Sequence, residues 1–127
     1  MEELLFDTNI LIDHMQGIAK ASEFLNRTKE GKIGYVSTVT EAELFAGKDI
    51  EPASIEIVDE TLSLFWKIEL SSGIARTAGL IRRQYGLKLA DAAIAATALT
   101  AGYKLVTRNV SDFKRISGLE LEEPYKI

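Results

Sequence analysis

A chain of 127 residues, 46% hydrophobic and 27% charged, has the composition of a globular protein with one substantial core, which excludes a disordered polymer. No apolar run approaches the roughly 18 residues of a bilayer span. There is no cysteine for a disulfide, a zinc–thiolate site or a thiol nucleophile, and Met1-Glu2-Glu3 lacks the basic start of a secretory signal. The expectation is a single domain over residues 1–127, cytoplasmic, with no membrane partner.

In chain order, Leu4–Phe6 reads as a short buried strand, followed by a helical stretch Ile10–Met15 that breaks at Gly17. Ile18, Ala21, Phe24 and Leu25 recur at helical spacing within Ile18–Lys29, and Glu30-Gly31-Lys32 ends that helix. Ile33–Val36 is the second strand, Ser37–Ala46 a helix closed by Gly47, and Pro52 suits the first turn of a helix over Ala53–Leu64. Phe65–Ile68 is a third strand. Helices follow over Ser71–Tyr85, ended by Gly86, and over the alanine-rich Ala90–Ala101, ended by Gly102. Lys104–Thr107 is the fourth strand, Val110–Ile116 a short helical turn, and Leu119–Glu122 a candidate edge strand. The alternation predicts an α/β fold with a parallel sheet covered on both faces.

Four acidic residues stand where this pattern expects strands to give way to helices: Asp7, Glu43, Asp91 and Asp112. Ligands of open α/β sheets bind beyond the carboxyl ends of the strands. Carboxylates gathered there repel one another unless a divalent cation neutralises them, so the pattern points to a metal site. Each acid also has a local explanation. Asp7 suits the N-cap of its helix, and Asp91 complements the dipole of the helix it opens, although its neighbours Leu89, Ala93 and Ile94 are apolar. Glu41 and Glu43 point to nearly opposite helix faces. A capping box from Thr38 to Glu41 leaves Glu43 for the site, while the shifted box from Thr40 to Glu43 stays open. At the last corner Asn109 fits an N-cap, and either Asn109 or Asp112 is placed to reach a metal, Asp112 being the charged one. Thr8, Asn9 and Thr107 are candidates to orient these carboxylates, or to make local turn bonds.

The net charge of -4 conceals an asymmetry. Residues 1–75 hold 14 acids against 6 bases, a net of -8, whereas residues 76–115 hold 8 bases against 2 acids, a net of +6. Those two acids are Asp91 and Asp112, so the remainder of the segment is uniformly basic, as a polyanion-binding surface or a set of solvated helix faces would be.

Four blocks, Phe6-Asp7-Thr8-Asn9-Ile10-Leu11-Ile12-Asp13, Ser37 through Gly47, Leu89 through Ala96 and Leu105 through Phe113, occur in an order and spacing that resembles the PIN-domain family, and within it the VapC-type toxins of toxin–antitoxin systems. The resemblance implies a PIN-like three-layer α/β/α sandwich with a central parallel sheet of four to five strands. It implies a metal-dependent endoribonuclease using Mg2+ or Mn2+, with Asp7, Glu43, Asp91 and Asp112 as catalytic and metal-binding residues. It also selects Glu43, the glutamate before Leu44, over Glu41. Many relatives carry an aspartate where Asn109 stands here. The only histidine, His14, lies in an expected helix and suits a structural role, which argues against metal-free cleavage through the RNA 2′-hydroxyl.

Arg76, Arg82, Arg83, Lys88 and Arg108 are the candidates to hold the RNA backbone. The family further implies a cognate antitoxin and a homodimer formed through the early helices, for which Ile10, Leu11, Phe45 and Leu64 are suitable as either interface or core residues. The competing readings are a catalytically weak PIN domain that only binds RNA or protein, and a housekeeping PIN nuclease without an antitoxin. A haloacid-dehalogenase-like phosphatase would need a second acid at Asn9, and a receiver-like domain an acidic pair at Phe6-Asp7.

Overall fold

The apolar strand Leu4–Phe6 (β1) forms the middle of a five-stranded sheet with all neighbours parallel, in the order β3-β2-β1-β4-β5. The other strands are β2 (Gly34–Ser37), β3 (Phe65–Ile68), β4 (Lys104–Val106) and β5 (Leu121–Glu122). The computed structural model describes residues 2–27, 31–47 and 55–127. Between the strands run α1 (Thr8–Met15), α2 (Ala19–Leu25), α3 (Thr38–Phe45), α4 (Ile55–Leu62), α5 (Ser72–Tyr85), α6 (Leu89–Ala101) and α7 (Val110–Phe113). Among the described residues no helix is long and apolar enough to cross a membrane.

Side chains alternate across a strand, and here the alternation feeds two separate cores. Leu5 and Leu105, paired in register, pack with Ile74, Ala78 and Ile81 of α5 and with the buried alanines of α6. Phe6, Val36, Phe65 and Val106 pack on the other face against Ile10 and Leu11 of α1, Phe24 and Leu25 of α2, Leu44 of α3 and Val58 and Leu62 of α4. The result is the expected three-layer α/β/α sandwich. Small side chains at Ala92, Ala95, Ala96 and Ala98 let α6 lie close to the sheet, since helix separation follows the side chains at the contact. Ile10 and Leu11 are fully buried in the second core, whereas Phe45 and Leu64 are exposed, which divides the four apolar residues weighed for an interface.

Element boundaries depart from the sequence expectation where caps intervene. Helix α2 ends at Leu25 with Asn26 as its C-cap, after its last buried residues Phe24 and Leu25. Helix α7 is a single turn ending at Phe113 rather than at Ile116. Ser71 precedes α5 and caps it, its hydroxyl accepting the Ile74 N–H at 3.2 Å, while Gly86 closes it with a left-handed φ of 74°. Pro52 and Ala53, expected to start α4, and Lys29, expected to end α2, lie outside the described residues.

Gly34 marks a tight approach within the sheet. A Cβ at this position would sit 2.8 Å from Phe6 Cε1 and 2.9 Å from the Leu4 carbonyl oxygen. Because the second contact is backbone, relief would require β2 to move off β1. Gly34→Ala is therefore expected to destabilise the fold by about 1–3 kcal/mol, as overpacking generally does, read as a lower urea midpoint. An unchanged midpoint would contradict the packing described here.

Candidate functional site

From β1 the chain crosses first to β2 on one side and later to β4 on the other, which opens a crevice at the carboxyl ends of these strands. A cavity of about 430 Å³ occupies this place, and Asp7, Glu43, Asp91 and Asp112 all line it. Asp7, Glu43 and Asp112 reach it from the segments after β1, β2 and β4. Asp91 arrives differently from the sequence expectation. It lies in the first turn of α6, which follows α5 through Gly86-Leu87-Lys88 rather than a strand.

Asp7 is the N-cap of α1, so the local explanation for it and its place in the cavity hold together. Its Oδ1 accepts the Thr8 N–H at 2.8 Å, and its Oδ2 accepts the Thr107 hydroxyl at 2.7 Å. Only 5% of Asp7 is exposed. Burial pushes its carboxyl up to about 6, the Thr107 and Thr8 bonds oppose the rise, and the charges of Asp91 and Glu43 add to it. A carboxylate this buried, with two further acids near it, is one that a cation would stabilise.

The Thr8 hydroxyl donates to Glu43 Oε1 at 2.7 Å and lies 2.9 Å from the Thr40 hydroxyl. The Thr8 hydroxyl spends its one proton on Glu43, so Thr40 donates to Thr8. Glu43 is thereby oriented by a chain of two buried hydroxyls. Glu41 has a different role from the capping box expected of it. Ser37 caps α3 by accepting the Val39 N–H at 3.0 Å, Thr38 accepts the Leu70 N–H, and Glu41 pairs with Lys67 at 2.6 Å. The ion pair wins because Lys67 on β3 brings a full charge to Glu41, where a capping box offers a single backbone N–H.

The fourth corner is built by a turn. The Thr107 hydroxyl that donates to Asp7 also accepts the Asn109 N–H at 2.9 Å. Asn109 occupies the N-cap position of α7, but its side chain makes no cap bond and instead donates from Nδ2 to Asp112 Oδ2 at 2.9 Å. Asn109 and Asp112 therefore act in series, the amide steadying the carboxylate.

The cavity is suited in kind to a hard divalent cation. Its four acids present oxygen donors beside the cations Lys88 and Arg115, and Asn9, which also lines it, has a buried Oδ1 with no hydrogen-bond partner. Among the described residues no three acid or histidine side chains are grouped closely enough to hold one ion between them. An ion held here would therefore take only one or two carboxylates directly and keep waters for its remaining positions.

The basic residues sort unevenly. Lys88 lines the cavity, as does Arg115, whose Nη2 donates to the Tyr85 carbonyl at 3.0 Å. Arg115 carries no local signal for this place in the sequence, because it lies two residues beyond the end of α7. Arg82 turns inward to donate to the Leu87 carbonyl at 2.7 Å, bracing the α5–α6 connection. Arg76 and Arg83 are exposed on α5 and do not line the cavity. Arg108, expected on RNA, directs Nε and Nη2 to Asp13 at 2.6 and 3.0 Å. His14 is away from the cavity, 2.9 Å from the Ser22 hydroxyl, and burial lowers its pKa.

Residues 4–119 match the family model of the PIN domain. The chain is 33% identical over 129 residues to Ribonuclease VapC1 of Rickettsia felis, with 93% of each chain covered. It is 32% identical over 130 residues to Ribonuclease VapC10 of Mycobacterium tuberculosis, covering 98% of this chain and 94% of that one. A solved toxin–antitoxin complex from Klebsiella pneumoniae superposes with a TM-score of 0.82 at 36% identity, covering 98% of this chain and all of the other. With this sheet order, this cavity and a match over nearly its whole length, the chain belongs to the PIN-domain family.

Proposed function

We propose that this chain, acting as one PIN domain in the cytoplasm, is a divalent-metal-dependent endoribonuclease and the toxin of a toxin–antitoxin pair. The observation that carries the reading is the convergence of Asp7, Glu43, Asp91 and Asp112 on one cavity. The ribonuclease names of its relatives and the toxin–antitoxin complex it resembles support the same reading.

In this reading Asp7 would be the central ligand for Mg2+ or Mn2+, with Glu43, Asp91 and Asp112 completing the site in part through waters, since no three of these side chains are close enough to share one ion directly. When bound, the cation supplies charge neutralisation and Lewis acidity for phosphodiester hydrolysis. The protein's own groups do the positioning. Thr107 and the Thr8 N–H fix the Asp7 carboxylate, Thr8 fixes Glu43, and Asn109 fixes Asp112. Lys88 and Arg115 on the cavity wall hold the scissile phosphate by charge, with Arg76 and Arg83 along α5 extending the basic surface. Water adds to phosphorus and the 3′-oxygen leaves, so products end in 5′-phosphate and 3′-hydroxyl groups. The position of His14 outside the cavity fits this route better than attack by the 2′-hydroxyl.

An antitoxin segment that enters the acidic cavity with a basic side chain would silence it by the same electrostatics. Exposed Phe45, Ile57 and Leu64 support self-association of the nuclease. Light scattering is expected to return twice the chain mass, falling to one with Phe45→Lys.

The catalytic test is cleavage of a labelled RNA. Chelation with EDTA is expected to stop it, and Mn2+ or Mg2+ to restore it, with 5′-phosphate ends on the products. Cleavage that survives chelation would sink the metal reading. RNA binding with no cleavage in Mn2+ would favour a pure binding module, the reading that the neutral Asn109 at the fourth corner supports.

A further inference from the structure

Asp13 is a buried carboxylate that the proposed chemistry does not use. It is 4% exposed, in the last turn of α1, does not line the cavity and meets three donors. Its Oδ2 accepts Arg108 Nε at 2.6 Å and the Tyr125 hydroxyl at 2.8 Å, and its Oδ1 accepts Arg108 Nη2 at 3.0 Å. Two parallel N–H bonds from a guanidinium to a carboxylate are strong and fix the plane of each group relative to the other. Burial and the bond to Asp13 raise the Tyr125 pKa, so the phenol keeps its proton and remains a donor.

Position in the chain gives this fork its consequence. Arg108 stands between Thr107 and Asn109. Thr107 bonds Asp7 Oδ2, and Asn109 bonds both the Thr107 hydroxyl and Asp112. A guanidinium locked to α1 leaves the backbone of this tripeptide little freedom, and α1 is the helix that Asp7 itself caps. The same helix thus holds the turn at one end and presents the carboxylate that the turn orients at the other.

We propose that Arg108 is a positioning residue, clamped by Asp13 and Tyr125 so that Thr107 and Asn109 hold Asp7 and Asp112 in the geometry that binds the cation. The proposal rests on the reading of the cavity as a divalent-cation site. It reassigns Arg108 from the RNA to the metal corner. Groups one shell removed from a metal ligand commonly change its affinity by about 10–100-fold when lost.

The test measures Mn2+ affinity by titration calorimetry, together with kcat and KM on RNA, for the full chain and for Arg108→Lys and Tyr125→Phe, each verified as folded by circular dichroism. Arg108→Lys keeps the charge but replaces the fork with a single point of contact. It is expected to weaken Mn2+ binding at least about tenfold and to lower kcat at limiting Mn2+. Saturating Mn2+ should restore the rate, and KM for RNA should stay within about twofold. Tyr125→Phe, which removes only the third bond, should shift Mn2+ affinity the same way by about threefold, and it carries the test if Arg108→Lys fails to fold. Unchanged Mn2+ affinity in folded variants would overturn the proposal, and so would a raised KM with kcat intact, which would return Arg108 to the RNA. A native chain that binds no Mn2+ would overturn the metal reading itself.

Discussion

Asp7→Asn is expected to raise the melting temperature of the metal-free protein at pH 7.5 while abolishing RNA cleavage. The carboxyl is pushed up to about 6 from an ordinary 3.8, chiefly by burial. The folded state therefore holds this proton more tightly than the unfolded chain. The stability that the neutral form provides is complete below pH 3.8 and is lost as pH rises through about 6. Above that, the folded protein carries a penalty of up to about 3 kcal/mol from a shift of about two units. Asparagine cannot ionise and escapes it. Its Oδ1 still accepts the Thr8 N–H, and its amide can donate to the Thr107 hydroxyl, but the buried Thr107 proton then loses its acceptor, which offsets part of the gain. For a chain of this length the gain corresponds to roughly 5–10 °C.

The pH dependence separates this account from a general packing effect. The melting curves of variant and native protein should converge toward pH 4 and diverge above pH 6. Mn2+ should raise the melting temperature of the native protein, because it binds the folded state alone, and should leave the variant nearly unmoved. A variant that is no more stable at pH 7.5, or whose advantage is the same at every pH, would show that Asp7 carries no such strain.

Thr107→Val should move in the opposite direction on stability and in the same direction on activity. Thr107 is fully buried, and its hydroxyl serves two partners, donating to Asp7 and accepting from the Asn109 N–H. Valine keeps the shape and removes both bonds, which costs about 1–3 kcal/mol because buried groups are left unsatisfied. The Thr107 bond is also the largest influence holding the Asp7 pKa down. Without it the carboxyl rises further above 6, and a cation must displace a proton over a wider range of neutral pH. Mn2+ affinity is expected to fall about 10–100-fold at pH 7, with the acid limb of the activity profile moved to higher pH. Serine in place of valine should recover most of the loss. An unaltered pH profile in a folded Thr107→Val protein would remove Thr107 from the site.

How much of this site could be read from the sequence depends on the range of each interaction. The strands and helices follow from local patterns, and so does the siting of Asp7, Glu43 and Asp112 after strand ends. Asp91 was marked by a carboxylate among small apolar residues, although the element before it is a helix rather than a strand. What the sequence did not disclose is pairing at long range. Glu41 looks like a capping residue until Lys67, 26 positions later, is placed beside it by the β2–β3 register. Arg108 looks like a free cation until Asp13 and Tyr125, separated by 112 positions from one another, close on it. Periodicity carries information over a turn or two of helix. Only the completed sheet brings such residues together.

The strand order has a consequence for the life of the protein as it is made. The central strand β1 is synthesised first, yet its neighbour β4 arrives about one hundred residues later, carrying Thr107 and Asp112 behind it. Parallel pairings that close such long loops form late in folding, because the chain entropy is lost before the contacts compensate. An emerging chain thus holds Asp7 and Glu43 for most of its synthesis with neither the turn that orients the first nor the acids that complete the cavity. The acidic cavity of such a chain is therefore completed only once β4 and the turn behind it have been made.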